Sequence, residues 1–234
     1  MKLVIDIGNT QVKHALFEDN RIERIFKSSE VDVDFINNII ITKQVSSVII
    51  SSVREKIEWM IEPSPILLSY KTNLPIKLNY NTLKTLGNDR IANCVAASMI
   101  FPNRDILVID AGSCITMDFI DKDKVFHGGR ISPGLEMRYK SLNVFTDNLP
   151  KLEISPVSRN IGKSTDESII SGVQRGVLSE VKEIIYNFKK EKEDLFVIVT
   201  GGDTFFFEKE LKNSIFADQF LVLRGLNEIL DFNV

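Results

Sequence analysis

Aspartate, glycine and small polar side chains occur together twice in this chain, each time at the end of an apolar run. The first set is Asp6-Ile7-Gly8-Asn9-Thr10 after Leu3-Val4-Ile5, and the second is Asp110-Ala111-Gly112-Ser113-Cys114 after Leu107-Val108-Ile109. These residue types suit phosphate chemistry. Glycine lacks a Cβ and can take positive φ, so backbone N–H groups can turn toward phosphate oxygens. Asn9 and Thr10 add side-chain hydrogen bonds, and Lys13 adds a point positive charge. Asp6, at a strand end, can hold Mg²⁺ that carries the phosphates. A plain hairpin turn uses Gly-Asn-Thr equally well. Two such hairpins facing each other would clamp a nucleotide.

Three further segments carry possible chemistry, each with a bland counterpart. Leu86-Gly87-Asn88-Asp89-Arg90 opens a helical stretch. Asp89 there can serve as a general base toward an attacking hydroxyl, and Arg90 can bind a carboxylate through two parallel hydrogen bonds. Alternatively Asn88 or Asp89 merely caps the helix. His127-Gly128-Gly129-Arg130-Ile131-Ser132-Pro133-Gly134 is a glycine-rich strand exit that lets a ligand approach a helix start, or an ordinary bulge followed by a proline. Val197-Ile198-Val199-Thr200-Gly201-Gly202-Asp203 repeats the pattern of strand, glycine pair and helix start, and suits a flat ligand such as a base or ribose. It is equally an unadorned turn capped by Asp203. Gly162-Lys163-Ser164-Thr165 imitates the end of a Walker A loop, but Val157 stands where that motif needs its first glycine. No G-x-G-x-x-G fingerprint is present. Neither His14 nor His127 has an acid or nucleophile at a recognisable spacing, and neither is assigned a catalytic role.

The elements that must position these residues alternate. Strands are expected at Lys2–Ile7, Gln11–Phe17, Arg21–Lys27, Ser46–Ser51 and Ile66–Ser69, with helices near Asp34–Lys43 and Arg54–Ile61. Asn73–Leu86 is extended and polar, the character of a flap. Asp89–Phe101 is a helix, with Ile91, Val95 and Met99 spaced for one face. The order then restarts with strands Asp105–Asp110, Cys114–Ile120 and Lys124–Ile131. Helices Gly134–Phe145 and Asp166–Lys190 follow, then strand Leu195–Thr200, helix Thr204–Lys212 and strand Gln219–Leu223. Hairpin-joined strands followed by βα units imply an α/β fold with mixed sheets, built from a duplicated β-β-β-α-β-α unit. The restart alone sets a boundary near Arg104, giving domains 1–104 and 105–234.

A net charge of −3 gives no general attraction for nucleic acid or an anionic membrane. No apolar run approaches the ~20 residues of a membrane helix, and the first residues enter a strand rather than a signal peptide. Cys94 and Cys114 lack metal-ligand spacing, and Cys94 reads as a buried thiol in a helix. The expected setting is cytoplasmic, with no nucleic-acid partner and no membrane.

Taken in order, these motifs resemble the type III pantothenate kinases of the sugar kinase–actin–Hsp70 ATPase superfamily. Asp6-x-Gly8-Asn9-Thr10 and Asp110-x-Gly112-Ser113 are similar to that family's two phosphate motifs, and Gly87-x-Asp89-Arg90 to its substrate motif. Gly128-Gly129-x-Ile131-x-Pro133-Gly134, Thr200-Gly201-Gly202-Asp203 and Ile161-Gly162-Lys163-Ser164-Thr165 resemble three further blocks. The resemblance spans essentially the whole chain. It implies two ribonuclease H-like (actin-like ATPase) domains, each a mixed five-stranded sheet with flanking helices and the site in the cleft between them. It also implies ATP-dependent phosphorylation of pantothenate, as the first step of coenzyme A synthesis. Asp89 would then be the base, with Tyr80, Gly87, Asn88, Asp89 and Arg90 at the substrate. Thr165 would reach the neighbouring site of a homodimer. Asp6, Ile7, Gly8, Asn9, Thr10, Gln11, Val12, Lys13 and Ser113 would contact ATP. Asp6 would accompany Mg²⁺, and Asp110 a monovalent cation, K⁺ or NH₄⁺. The chain departs from the family at Ser113-Cys114, where Thr-Ala is usual, at Asn88 in place of alanine, and at Asn81-Thr82 in place of Asn-Pro. Serine keeps the hydroxyl, and no departure removes an atom the chemistry requires. Transcriptional accessory factors share the fold, as do kinases for other small acids or sugars, so these stand as alternatives.

Overall fold

The computed structural model describes residues 1–54, 60–156, 159–211 and 215–234. The helix expected at Arg54–Ile61 lies mostly outside the described residues.

The first sheet forms because three β-prone runs are separated by tight polar turns. Strands β1 (Lys2–Ile7), β2 (Val12–Glu18) and β3 (Arg21–Ser28) form an antiparallel meander. Helix α1 (Val33–Thr42) is capped by Asp32, whose carboxylate accepts from the Phe35 N–H at 2.9 Å. It returns the chain to β4 (Ser47–Ser52), which pairs parallel with β1, and β5 (Ile66–Leu67) extends that edge. The strand order is β3-β2-β1-β4-β5. Leu3, Ile5 and Ile7 alternate inward and join Ile36, Ile39 and Ile40 of α1 in one core.

The second sheet repeats this plan. Its strands are β6 (Lys77–Leu78), β7 (Ile106–Ala111), β8 (Cys114–Ile120), β9 (Val125–Pro133), β10 (Phe196–Thr200) and β11 (Phe216–Ala217). The order is β11-β10-β7-β8-β9-β6. Without β6, the sequence β9-β8-β7-β10-β11 matches the first sheet strand for strand. The expected duplication is therefore present as topology. The expectation of five strands in each sheet needs correction, because the flap segment supplies a sixth. Lys77 and Leu78 pair parallel with Val125 and Phe126. Local composition cannot announce a pairing between residues so distant in sequence.

Helices α2 (Asn88–Ile100), α3 (Leu135–Val144), α4 (Thr165–Ile170), α5 (Gly176–Glu191), α6 (Thr204–Leu211) and α7 (Leu221–Asn233) complete the fold. The single helix expected at Asp166–Lys190 is divided by a π-helical turn at Ser171–Arg175. Gln174 in that turn is buried and accepts from the Tyr139 hydroxyl and the Ser155 N–H, both at 2.8 Å. The strand expected at Gln219–Leu223 is helical instead. Leu221, Val222, Gly225, Leu226, Ile229 and Leu230 are buried at helical spacing, and that period outweighs the β-prone triplet at its start. Met99 also differs from expectation, being 38% exposed, since the last turn of α2 leaves the core.

Two compact units result, and they are not two continuous halves. Unit 1 comprises Met1–Asn103, Ile120–Gly128 and Phe220–Val234, and unit 2 comprises Arg104–Phe119 and Gly129–Gln219. Within unit 1, α7 packs on α2 so closely that a Cβ at Gly225 would overlap the backbone of Ala92. Backbone cannot yield as a side-chain tip can. Gly225→Ala should therefore lower unfolding stability by about 1–3 kcal/mol, despite alanine's better helix propensity. Urea unfolding of the two proteins checks this, and equal midpoints would show that the helices separate at little cost.

Candidate functional site

Within unit 1 the site is built at the end of β1. Register places Asp6 opposite Lys13 on β2 and beside Ser51 on β4. Asp6 is only 7% exposed. Burial pushes its pKa up to about 6; Lys13 opposes this, Asp89 adds to it by charge repulsion, and a hydrogen bond with Ser51 opposes it. Asp6 and Asp89, far apart in sequence, therefore lie within electrostatic reach of each other. Gly8 closes the turn by donating its N–H to the Gln11 carbonyl at 3.0 Å. Positive φ was expected to be its use, but the glycines with positive φ are Gly128 and Gly201. Gly8 matters for space: a Cβ there would stand 3.1 Å from the Gln11 carbonyl oxygen. Arg54, which nothing in the sequence singled out, donates from Nε to the Gly8 carbonyl at 2.9 Å and from Nη2 to the Asn9 carbonyl at 3.2 Å.

The segment 87–90 stands at the start of α2. Gly87 is the N-cap, with no side-chain capping bond, so neither Asn88 nor Asp89 serves as that cap. Asn88 ties the helix start to the chain after β5 by donating to the Leu68 carbonyl at 2.8 Å. Asp89 Oδ1 accepts from the Arg90 N–H at 2.9 Å, which folds its carboxylate back over Gly87. A Cβ at Gly87 would collide with that oxygen. Arg90 is 4% exposed, and its guanidinium lies 5.6 Å from the Tyr80 ring centroid and 5.8 Å from that of Phe126. Two ring faces thus stabilise a cation held largely out of water. Gly128, at φ +88°, leaves room for the same tyrosine, since a Cβ there would stand 3.1 Å from its ring. Tyr80, Asp89 and Arg90 are therefore brought together, joined by Phe126 and Gly128 from β9. Gly128 was legible as part of a glycine pair; Phe126 had no local signal. His127 bonds Asp121 Oδ2 through Nε2 at 2.6 Å, and His14 is buried beside Phe35.

Within unit 2 three of the glycine-rich segments converge on the end of β7. Thr200 on β10 stands beside Asp110. Gly201, at φ +96°, lies against Ala111 and the Asp110 carboxylate so closely that any Cβ would overlap them. Asp203 donates its N–H to the Ala111 carbonyl at 2.9 Å, and Gly134 donates to the Ser113 carbonyl at 3.1 Å. A side chain at Gly134 would overlap the Gly112 and Ser113 carbonyls. Burial raises the Asp203 pKa to about 6, with Glu136 adding to it.

Thr165 opens α4 and is exposed. The Ser164 hydroxyl accepts from the Glu167 N–H at 3.2 Å, and Glu167 Oε2 accepts from the Lys163 N–H at 2.8 Å. A carboxylate of the chain itself thus occupies this helix start, which separates it physically from a Walker loop. Cys94 is buried in α2 as expected. Among the described residues no group of three or more His, Cys, Asp and Glu side chains is placed to hold a metal unaided.

Asp6 yields a prediction about pH. Between about 3.8 and about 6 the folded state keeps a proton that the unfolded state has lost, so this group's contribution to stability falls as pH rises through that window. Asp6→Asn should stabilise the ligand-free protein by about 2 kcal/mol near pH 7.5 and by little near pH 4. Denaturant titrations at both pH values check this, and an equal effect at both would show that burial of charge is not the cause.

Comparison with known proteins identifies the family and the fold. A sequence model described as type III pantothenate kinase matches residues 2–187. The type III pantothenate kinase of Phocaeicola vulgatus is 44% identical over 239 residues, covering 100% of this chain and 99% of that protein. The one from Christiangramia forsetii is 43% identical over 240 residues, covering 100% and 99%. Among solved structures, a protein named as a Baf family transcriptional activator from Campylobacter jejuni superposes with a TM-score of 0.66 at 24% identity, covering 99% of this chain and 98% of that one. A glucokinase from an Antarctic psychrotroph gives 0.56 at 10% identity, covering 98% of each. Those two structures share the fold, a duplicated actin-like ATPase architecture of mixed sheets and flanking helices. By its matching sequence model and its full-length relatives, the chain belongs to the type III pantothenate kinase family.

Proposed function

We propose that this chain transfers the γ-phosphoryl group of ATP to the primary hydroxyl of pantothenate, giving 4′-phosphopantothenate, the first step of coenzyme A synthesis. Family membership supports the reaction. One structural observation carries the assignment of roles: Asp89, held by the Arg90 N–H at the start of α2, lies within electrostatic reach of Asp6 on the phosphate hairpin. An acceptor hydroxyl at Asp89 is thereby near the group that would receive the nucleotide.

Phosphoryl transfer leaves the protein little covalent work; it needs positioning, charge neutralisation and a base. Asp89 takes the hydroxyl proton as the substrate oxygen bonds to the γ-phosphorus and the bond to the ADP oxygen breaks. Arg90, backed by Tyr80 and Phe126, pairs with the pantothenate carboxylate, while Gly87 leaves space for the Asp89 carboxylate to lie back. Residues Asp6 to Lys13 and Ser113 contact ATP. The oxygen donors of Asp6 and Asp89 suit a hard cation, and their repulsion is relieved by one. Mg²⁺ bound with ATP supplies neutralisation of the phosphate charge. Asp110 holds the monovalent cation, and Thr165 completes the pocket of a neighbouring subunit in a cytoplasmic homodimer.

Asp89→Asn should reduce kcat by about 10²–10⁴-fold while the thermal midpoint stays near that of the parent. A folded variant with near-normal turnover would remove the base assignment. Gly87→Ala should also lower kcat, because its methyl group displaces the Asp89 carboxylate rather than backbone. Coupled ADP release with pantothenate, run in potassium and then in sodium alone, tests the rest. Turnover that rises with potassium supports the Asp110 site, and equal turnover in both removes it. Turnover with another acid or sugar but not pantothenate would reassign the acceptor.

A further inference from the structure

We infer that Arg54 is a positioning residue for nucleotide phosphates, acting through the backbone of the first hairpin rather than on the ligand. The inference rests on the reading of Asp6 to Lys13 as the phosphate hairpin.

The placement of Arg54 follows from the sheet. Parallel pairing of β4 with β1 sets Ser51 beside Asp6 and Ser52 beside Ile7. The Val53 N–H then donates to the Ile7 carbonyl at 3.1 Å, carrying the pairing one residue past the strand. Ser52 Oγ accepts from the Arg54 N–H at 3.1 Å and donates to the Arg54 carbonyl at 3.2 Å, fixing the backbone from which the guanidinium reaches back. Nε meets the Gly8 carbonyl at 2.9 Å, and Nη2 meets the Asn9 carbonyl at 3.2 Å and the Ser29 carbonyl at 3.4 Å. One rigid fork thus holds consecutive carbonyls of the turn and ties them to the end of β3.

Peptide planarity turns this into a statement about donors. In a trans peptide the carbonyl and the following N–H point in opposite directions. With the Gly8 and Asn9 carbonyls directed at Arg54, the Asn9 and Thr10 N–H vectors face the other side of the turn. Successive N–H groups aimed to one side form an anion-binding concavity. A lysine could neutralise charge near the turn, but its ammonium is a point donor without the fixed fork that spans two carbonyls. The unit 2 turn has no arginine at the matching place. There Asp203 supplies its backbone N–H to Ala111, as Val53 does to Ile7.

The experiment compares wild type, Arg54→Ala and Arg54→Lys in steady-state kinetics, with ATP and pantothenate varied separately and thermal midpoints measured on the same samples. Both variants should raise KM for ATP by about tenfold, with KM for pantothenate and the thermal midpoint close to wild type. Arg54→Lys retaining wild-type KM for ATP would mean that a charge near the phosphates suffices, which overturns the bracing role. Arg54→Ala within twofold of wild type in KM for ATP would overturn it as well. A parallel rise in both KM values with a lowered thermal midpoint would reduce Arg54 to a stability residue. Failure of the wild type itself to turn over Mg-ATP would instead sink the kinase reading beneath the inference, so the two failures are distinguishable.

Discussion

The pairing of β1 with its two neighbours is the constraint on which unit 1 depends. Because β2 runs antiparallel and β4 parallel to the same strand, Lys13 and Ser51 flank Asp6 on either side. The period-2 alternation that buries Leu3, Ile5 and Ile7 leaves no freedom in this arrangement. A slip of one residue would exchange the residues of the strand's two buried faces and remove Lys13 from Asp6 in the same movement. The hydrophobic pattern that makes the sheet is thus also what sets the charges of the site.

The duplication shows the same constraint used for different chemistry. Asp110 stands beside Thr200 as Asp6 stands beside Ser51, and in each unit the strand after the helix runs on into a turn that braces the hairpin. The bracing turns have diverged. Ser51-Ser52-Val53-Arg54 presents a cation to backbone carbonyls, whereas Thr200-Gly201-Gly202-Asp203 gives up its side chains so that backbone can lie directly on Asp110 and Ala111. The first arrangement orients a turn from outside. The second brings two turns into contact.

Much of this was legible in the sequence because its signals are local. Strand β1 and strand β8 were expected with the boundaries observed, since each is an apolar run ended by a turn. The Asp-x-Gly copies marked the ends of β1 and β7, where each unit brings its small polar and glycine-rich segments together. Other features escaped for a common reason. Phe126 beside Arg90, β6 on the edge of the second sheet, and Arg54 under Gly8 each depend on a partner distant in sequence. The C-terminal helix escaped differently: Leu221-Val222-Leu223 reads as strand until the window extends to Leu226, Ile229 and Leu230. There the signal was present, and a longer window would have found it.

The polarity of unit 1 argues for its use. Asp6 and Arg90 are both buried. Arg90 is faced by aromatic rings, and Asp6 shares its surroundings with a second carboxylate. A fold selected for stability alone would replace such groups with apolar ones, since desolvated charge costs free energy that aliphatic packing must offset. The two signs instead match the two needs of phosphoryl transfer to a carboxylate-bearing alcohol. In the proposed reaction, carboxylates at the strand and helix ends would take a proton and favour a cation, while Lys13 and Arg90 would favour the anionic groups of nucleotide and acceptor. The rings of Tyr80 and Phe126 that face Arg90 stabilise its charge. In the proposed reaction the substrate carboxylate would bind at this buried cation.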